Sequence, residues 1–371
     1  MDDRLDPWGS SNVSIRVIGV GGGGGNAINR MVGDFPSGVD FMAVNTDTQV
    51  LRYSRAESKV QIGAKVARGM GAGADPEVGR KAAEESREIL KEAITGSSLL
   101  FITAGMGGGT GTGGSPVLAK VARELGILTI AIVTKPFNFE GPQRSKVAAD
   151  GIKELRDSVD GLIVIPNQRL FKLEEGKITI SNAFRKADEV LKKAVQGITE
   201  LIRTPGIINL DFADLKNVLT STSSGELPDR TDGSIWIGMG TGKGDERAAK
   251  AIRAATNYEL LEYSMQGATG LIYNVIGHEI SMEEMDVIST AIQSSASKSK
   301  DAKIIFGLAD PFDEVLGESG EANDEIRITV VASGMQPQKA ETEQEKKILK
   351  EFKVEEVELP AILRKGPPRG F

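Results

Sequence analysis

The sequence predicts an α/β protein in which a mostly parallel sheet carries helices on both faces and a second, smaller α/β domain follows. Three observations predict it. Short apolar runs alternate with segments of helical periodicity through the first half of the chain, which is the rhythm of βαβ units. Two glycine clusters each stand between an apolar run and a helix-like pattern. The 371 residues are enough for two or three domains.

The strand-like runs of the first half are short and apolar. They lie at Val13–Val20, Val39–Val44, Ser98–Thr103, Ile127–Val133 and Gly161–Ile165. Two proline-containing pairs predict where helices begin. Asp75-Pro76 opens a helix that runs to Ile94, and Ser115-Pro116 supplies an N-cap and a first helical residue. Strand and helix therefore alternate up to about residue 180.

The second half begins with a long helix, predicted from Ser181 to Thr204 and ended by Pro205-Gly206. Two further helices are predicted at Gly244–Ala255 and Ser281–Ala296, the latter opened by the capping box Ser281-x-x-Glu284. Strand-like runs accompany them at Ser234–Met239, Leu271–Ile276, Lys303–Leu308 and Ile326–Ala332.

The chain divides into five parts on this interpretation. Residues 1–12 are a polar, disordered N-terminal segment, and residues 13–180 form the first domain. The central helix, 181–204, leads into a second domain at 205–334. Residues 335–371 are charged and contain proline, so we expect a flexible linker and tail outside both cores.

Composition excludes several functional classes. The chain has no cysteine and one histidine, His278, which removes disulfides, thiolate nucleophiles, His-rich metal sites and most Ser–His chemistry. We expect His278 to be structural. The net charge of −7 gives no basic field for nucleic acid. No apolar run approaches the roughly 18 residues of a membrane span, and Met1–Asn12 is polar, unlike a signal peptide. We therefore expect a cytoplasmic protein without direct membrane insertion.

The first glycine cluster, Gly19-Val-Gly21-Gly-Gly-Gly24, fits the pattern G-x-G-x-x-G. Bare backbone can approach a phosphate at such a turn, and the N-terminus of the following helix favours negative charge. Two alternatives remain for this cluster taken alone. It can be a tight turn without a ligand, or it can belong to a dinucleotide-dependent oxidoreductase, with Asp47 near the ribose.

The second cluster, from Gly105 to Gly114, is more specific because seven of its ten residues are glycine. Gly107–Gly109 offer consecutive amides, and Thr110 and Thr112 add hydroxyl donors. The sequence lacks a Walker-type G-x-x-x-x-G-K-[ST] motif, so an ordinary P-loop is excluded. Two loops of this kind at neighbouring strand ends can wrap one di- or triphosphate.

With these motifs the sequence resembles the tubulin/FtsZ family of GTPases over residues 13–334. Gly108-Gly-Thr-Gly-Thr-Gly113 matches the family's glycine-threonine signature. Further matching motifs follow the same order and lie at Val17–Asn26, Ala43–Asp47, Gly69–Pro76, Thr134–Phe137, Phe139–Gly141 and Gly206–Asp214. The resemblance implies a Rossmann-like GTPase domain that binds GTP or GDP together with Mg²⁺.

The resemblance also implies roles for individual residues. Phosphate contacts fall to Gly22, Gly23, Gly24, Gly25, Asn26, Ala72, Gly73, Ala74, Gly107, Gly108, Gly109 and Thr110. Glu140 and Arg144 would contact the ribose and its surroundings, Phe184 would lie against the base, and Asn167 and Asp188 would select guanine. A carboxylate suits guanine because this base offers two adjacent donors, N1–H and N2–H. Without the resemblance, these three residues have an ordinary alternative interpretation. Asn167 and Asp188 would be polar residues of a loop and of a helix surface, and Phe184 would be a core residue.

Asn209, Asp211 and Asp214 form a second chemical group. The two carboxylates are three residues apart near a predicted helix start, so both can project from one side. Without a family resemblance, the two carboxylates have an ordinary alternative interpretation, because negative charge is favourable at the N-terminus of a helix. The resemblance implies that this loop enters the nucleotide pocket of the next subunit and polarises the attacking water. It further implies head-to-tail filaments that form the division ring. The alternative is a scaffold of this family that binds nucleotide without hydrolysing it.

Two segments stand apart from this scheme. Leu359–Lys365 is an apolar cluster followed by positive charge. It is similar to the C-terminal peptide by which the family docks on membrane-tethering partners such as FtsA or SepF; a chance hydrophobic patch is the alternative. Ser221–Asp232 is a polar stretch that the family usually lacks, and we expect an exposed inserted loop there.

Overall fold

The computed structural model describes residues 13–35, 38–173, 179–204, 206–220, 234–256, 261, 265–296, 302–310 and 324–335. The expectations for residues 1–12, for the Ser221–Asp232 loop and for the docking peptide Leu359–Lys365 lie outside these ranges. Among the helices that are described, none combines the length and the apolar character needed to cross a bilayer.

The first sheet is parallel and six-stranded. Its strands are β1 Ile15–Val20, β2 Val39–Asn45, β3 Ser58–Gln61, β4 Leu99–Gly105, β5 Leu128–Lys135 and β6 Gly161–Pro166. They lie in the order β3-β2-β1-β4-β5-β6. Strands β1, β4, β5 and β6 are buried almost throughout, as expected of a parallel sheet with both faces covered. Edge strand β3 was not predicted because Ser-Lys-Val-Gln carries a single apolar residue.

Seven helices belong to this half of the described chain. They are α1 Gly21–Met31, α2 Thr48–Arg52, α3 Pro76–Glu85, α4 Arg87–Ile94, α5 Thr110–Glu124, α6 Pro142–Arg156 and α7 Ile180–Arg203. The Asp75 carboxylate caps α3 by accepting the Glu77 N–H at 2.9 Å, as predicted. The helix that was expected to continue to Ile94 is interrupted at Ser86, whose hydroxyl accepts the Gly63 N–H at 2.9 Å instead.

The predicted start of a helix at Ser115-Pro116 is wrong, because α5 begins at Thr110 and contains Pro116 in its interior. The glycine-threonine run itself forms the first turns of α5. It packs so closely on α3 that a Cβ atom at Gly113 would strike the carbonyl oxygen of Pro76. Tertiary packing therefore stabilises a helical start that glycine propensity alone disfavours.

The second sheet is smaller and mixed. Its strands are β7 Ile235–Lys243, β8 Gly270–Gly277, β9 Lys303–Ala309 and β10 Glu325–Ser333. Their order is β7-β10-β8-β9, with β10 antiparallel to both neighbours and β8 parallel to β9. Helices α8 Phe212–Thr220, α9 Arg247–Thr256 and α10 Met282–Ala296 accompany it. Ser281 and Glu284 form the predicted capping box at the start of α10.

Helix α7 packs against both sheet systems. An ion pair between Arg30 and Asp188 joins it to α1. On the second sheet, a Cβ atom at Gly197 would come within 2.8 Å of the Met239 sulfur, so the helix lies directly on β7. The predicted fold class, a parallel sheet with helices, a long central helix and a second smaller sheet, is confirmed.

Candidate functional site

Two uncapped helix N-termini meet at the point where the order of the first sheet reverses. Strands β1 and β4 are parallel neighbours, and the chain proceeds from β1 toward one edge of the sheet and from β4 toward the other. Helices α1 and α5 begin directly after these strands, and neither receives a side-chain cap at its N-terminus. Each therefore presents free N–H groups and a partial positive charge to the crevice outside the strand ends, which is the usual place for an anionic ligand.

The glycines of this region fall into two groups. Some are required by packing: a Cβ atom at Gly21 would lie 2.8 Å from the Gly111 nitrogen, and one at Gly24 would strike the Thr103 carbonyl oxygen. The others face open space, with no protein atom within 4 Å of the position a Cβ would take; they are Gly22, Gly25, Gly73 and Gly108. A tight turn without a ligand explains the first group and the positive φ of Gly73, but not the open positions of Gly22, Gly25 and Gly108, which bare backbone around a phosphate explains.

The threonines of the second cluster order the loop around them. Thr112 Oγ1 accepts the Gly107 N–H at 2.8 Å, so its oxygen holds the loop rather than remaining free for a ligand. Thr110 Oγ1 lies 2.7 Å from Thr46 Oγ1, and this hydroxyl pair is buried. Thr46 follows the end of β2, and no role was predicted for it from sequence.

The 72–74 segment lies beside the second cluster. A Cβ atom at Gly109 would lie 2.7 Å from the Ala72 Cβ and 2.9 Å from the Asp75 carbonyl oxygen. Gly73 and Ala74 both have positive φ, 56° and 62°. The sharp turn that they form brings this segment to the start of α5.

Glu140 and Arg144 lie at the other side of the same loop. They form an ion pair of 3.2 Å, and Glu140 Oε1 also accepts the Phe137 N–H at 2.9 Å. The main-chain oxygen of Arg144 would lie 2.7 Å from a Cβ atom at Gly107. Both residues therefore border the second glycine cluster.

A cleft of about 790 Å³ lies between the C-terminal half of α1 and the N-terminal half of α7. Its lining residues are Asn26, Asn29, Arg30, Asp34, Arg55, Ser181, Phe184, Asp188, Glu189 and Lys192. Phe184 is 41% exposed and meets Phe137 edge-on with ring centroids 5.1 Å apart. This exposure argues against the core interpretation of Phe184 and leaves an aromatic face at the cleft.

Asp188 is the most enclosed charged group of this cleft. Its side chain is 13% exposed, and its Oδ2 accepts the Arg30 Nε–H at 2.8 Å. The pKa of Asp188 lies above the ordinary value of an aspartate, because burial raises it by more than the hydrogen bond and charge of Arg30 lower it. Arg30 was missed from sequence. The one signal in the sequence was its spacing from Asn26, since residues four apart share one face of α1.

Asn167 follows β6 and is 4% exposed. Its Oδ1 atom has no hydrogen-bond partner among the described residues. Buried polar atoms are nearly always paired, so an unpaired side-chain amide is a feature that a polar ligand would satisfy. Asp47, the candidate ribose contact of an oxidoreductase, instead caps α2 by accepting the N–H groups of Gln49 and Val50.

Asn209, Asp211 and Asp214 lie elsewhere, beyond the C-terminal end of α7. The Asn209 Oδ1 accepts the Gly206 N–H at 2.8 Å, and the Asp214 Oδ2 accepts the Asp211 N–H at 3.2 Å. Asp214 thus stabilises the start of α8, as the helix-terminus interpretation expects. The segment is fixed to edge strand β9 by paired backbone hydrogen bonds between Ile208 and Leu308.

The structure therefore does not bring these three residues to the cleft. Helix α7 has 24 residues and spans about 36 Å. No group of three or more acidic or histidine side chains poised to hold a metal occurs in the described part of the chain.

Fold and site together define an α/β nucleotide-binding protein that lacks a Walker motif. Comparison with known proteins gives the family. Residues 14–175 match the Tubulin/FtsZ family GTPase domain and residues 233–336 match the FtsZ family C-terminal domain. The chain belongs to the tubulin/FtsZ family of GTPase cytoskeletal proteins. The resemblance seen in the motifs is confirmed, and it favours a GTPase over an oxidoreductase.

Solved structures agree with this assignment. An empty FtsZ dimer from M. jannaschii is 39% identical, with a TM-score of 0.75, and the alignment covers 87% of this chain and 89% of that one. Two proteins from Haloferax volcanii, GDP-bound CetZ1 and a GTPγS-bound protofilament of CetZ2, are 19% and 20% identical with TM-scores of 0.71 and 0.70. Each alignment covers 91% of this chain and 99% of the CetZ chain, and these two similarities bear on the fold alone.

Proposed function

We propose that this protein is a GTP-dependent, self-assembling cytoskeletal protein of cell division, which forms head-to-tail filaments in a cytoplasmic ring at the division site. The proposal rests on the distance between two groups of residues. The cleft lined by Asn26, Phe184 and Asp188 lies near the start of α7, whereas the exposed Asp211 lies beyond the end of that helix. A molecule built this way binds its nucleotide alone and needs a second copy to act on it.

GTP fits the first end of the molecule. Backbone N–H groups of Gly22–Asn26 and Gly107–Thr110 would hold the phosphates, since two uncapped helix N-termini supply donors and favourable charge. The 72–74 turn would close over them. Glu140 and Arg144 would contact the ribose and its surroundings. Among these residues, Gly22, Gly25, Gly73 and Gly108 face open space and leave room for a phosphate, while Gly24, Gly107 and Gly109 pack closely against neighbouring segments.

Guanine fits the cleft between α1 and α7. Phe184 offers a partly exposed aromatic face for the base. Asp188 offers two carboxylate oxygens to the adjacent N1–H and N2–H donors of guanine, which adenine lacks. Asn167 contributes an amide whose Oδ1 is otherwise unpaired. Together, an aromatic stacking surface, two carboxylate oxygens that can accept hydrogen bonds and an amide oxygen without a partner among the described residues favour guanine over other bases.

Hydrolysis would take place between subunits. In this proposal Asp211 and Asp214 of one subunit, with Asn209, position and polarise the water that attacks the γ-phosphate held by the next. Phosphoryl transfer depends mainly on positioning and charge stabilisation, so carboxylates suffice without cysteine or histidine. Mg²⁺ would neutralise phosphate charge and needs few protein ligands, because it keeps waters and binds phosphate oxygens; we assign none.

Self-association follows from the same geometry. An interface that joins opposite ends of identical subunits is heterologous and does not close, so it generates an open filament. The FtsZ relative, at 39% identity, is described as a dimer, which supports self-association of this chain. Its 39% identity to FtsZ favours the division role.

The tail would tether the filaments. Leu359–Lys365 would dock on a membrane-attached partner such as FtsA or SepF, with no direct membrane insertion of this chain. A chain ending at Gly334 should still form filaments and hydrolyse GTP. Leu359→Ala with Ile362→Ala should abolish recruitment by the tethering partner. Loss of polymerisation on truncation would contradict a separate docking role.

Light scattering with GTP, GDP and ATP added in turn tests the proposal as a whole. Scattering should rise only with GTP and decay as released phosphate accumulates. A rise with GTP that persists, without phosphate release, would instead identify the non-hydrolysing scaffold. A response to ATP equal to that with GTP would contradict the guanine site.

A further inference from the structure

An ion pair crosses the base cleft from α1 to α7. Arg30 Nε donates to Asp188 Oδ2 at 2.8 Å. The Asp188 side chain is largely enclosed, while that of Arg30 reaches solvent. A second ion pair lies nearby, where Lys192, one turn further along α7, pairs with Asp34 just beyond the end of α1. In this pair the positive charge is on α7 and the negative charge on the α1 side, the reverse of Arg30 and Asp188, and neither residue is a proposed base contact, so the pair serves as a comparison.

The protonation state of Asp188 decides which base it can recognise. An ionised carboxylate offers only acceptors and therefore matches the N1–H and N2–H donors of guanine. A protonated carboxyl offers one donor and one acceptor, which match N1 and N6–H of adenine. Selectivity for guanine thus requires that the enclosed carboxyl group stay charged.

The surroundings of Asp188 do not by themselves ensure that its carboxyl group stays ionised. Burial raises its pKa, and the neighbouring Glu189 raises it further, whereas the hydrogen bond and the charge of Arg30 lower it. The other charged residues that line the cleft are Asp34 just after α1, Lys192 on α7 and Arg55 after α2. Among the positively charged residues that line the cleft, Arg30 is the one that hydrogen-bonds directly to the Asp188 carboxylate.

We propose that Arg30 sets the preference for guanine over adenine by acting through Asp188: it holds the carboxylate ionised and oriented toward the base. Its single N–H occupies one acceptor site on Oδ2, and the carboxylate keeps enough lone pairs for two base donors. Arg30 is thus a positioning residue of the base site. The inference rests on the proposed function, because it assumes that guanine meets Asp188.

The test is the pH dependence of base selectivity in Arg30→Met. The Kd values of the full-length protein for GTP and for ATP are measured by calorimetry from pH 5.5 to 8, at concentrations where scattering shows no filaments. The wild-type ratio should stay constant. In the variant, GTP affinity should fall as the pH drops below the raised pKa of Asp188, by up to about tenfold per pH unit, while ATP affinity rises. Arg30→Lys, which keeps the charge, should restore the wild-type profile.

Lys192→Met is the matched control, since it removes one positive charge from the same cleft. Its ratio of GTP to ATP affinity should remain constant with pH. Thermal unfolding monitors the fold of each variant, and Arg30→Gln replaces Arg30→Met if the latter is not folded. A wild type without preference for GTP would refute the guanine site itself. Two outcomes would refute the role of Arg30 while leaving the guanine site in place. One is a selective wild type together with an Arg30 variant whose selectivity is unchanged across the pH range. The other is a Lys192 variant that behaves as Arg30→Met does.

Discussion

The two ends of helix α7 carry carboxylates in opposite circumstances. Near its start, Asp188 is enclosed, paired with Arg30 and part of a cleft. Beyond its end, Asp211 is exposed and Asp214 half-buried, and their recorded contacts are with the backbone of their own loop. The proposed base site lies at the first end, whereas the acidic groups proposed to act on a neighbour's nucleotide lie at the second. The difference underlies the proposal that binding and hydrolysis are divided between two copies of one sequence.

The largest effect should come from removing the charge at the second end. Asp214→Asn should lower GTP hydrolysis by about 10²-fold or more, the scale of losing a group that activates water, while GTP affinity remains unchanged. Asparagine keeps an oxygen that can accept the Asp211 N–H, so α8 should remain intact. Phosphate release and calorimetric binding measure the two quantities.

Lys216→Ala on the exposed side of the same helix serves as the control and should hydrolyse GTP normally. Reduced GTP binding by Asp214→Asn would place this residue in the binding site of its own subunit and remove the contrast between the two ends.

Next in size is the loss of the carboxylate at the first end. Asp188→Ala should weaken GTP binding by about 1.5–3 kcal/mol, the contribution of hydrogen bonds to a charged group, which is about 10- to 150-fold in Kd. ATP binding should change little. Equal losses for both nucleotides would show that Asp188 has no part in base recognition.

Two glycines near the start of α5 separate the effect of a glycine on ligand binding from its effect on packing. Gly108→Ala adds a methyl group to open space, so the melting temperature of the nucleotide-free protein should not change, while GTP and ATP affinity should both fall about tenfold. Gly113→Ala drives a methyl group into the Pro76 carbonyl and should destabilise the fold by about 1–3 kcal/mol. Similar melting curves for both variants would mean that the two glycines share one role.

The smallest effect concerns the buried amide. Asn167→Leu removes a polar side chain whose Oδ1 has no partner in the described structure, so the nucleotide-free protein should be as stable as wild type or slightly more stable. GTP affinity should nevertheless fall several-fold. Thermal melting with and without GTP separates these effects, and unchanged affinity would leave the unpaired oxygen unexplained.

Sequence was a good guide wherever local patterns determined the outcome. The apolar runs predicted the buried strands, and the Asp75 cap and the Ser281–Glu284 box marked helix starts because side chains within three residues form them. The same reasoning failed at Ser115-Pro116. There α5 starts earlier because close packing on α3, a contact distant in sequence, stabilises its glycine-rich first turns.

The candidate site shows the same limit. The glycine loops could be predicted because bare backbone near phosphate has a compositional signature. The hydrogen-bond partners of Thr46 and Arg30 could not be inferred from sequence, because Thr110 and Asp188 lie more than sixty residues away along the chain. Asp211 and Asp214 were named from family motifs alone, since an exposed pair of carboxylates at a helix start has an ordinary local explanation.

The most direct test of the central claim is the GTPase rate per molecule as a function of protein concentration, repeated with mixtures of wild type and Asp214→Asn. If the carboxylates act on the nucleotide of a neighbour, the rate per molecule should be low at high dilution and rise as filaments form. The mixtures should lose more activity than dilution alone predicts, because each variant subunit silences the pocket that it faces. A rate per molecule independent of concentration, with activity strictly proportional to the wild-type fraction, would show catalysis within one subunit and contradict the account.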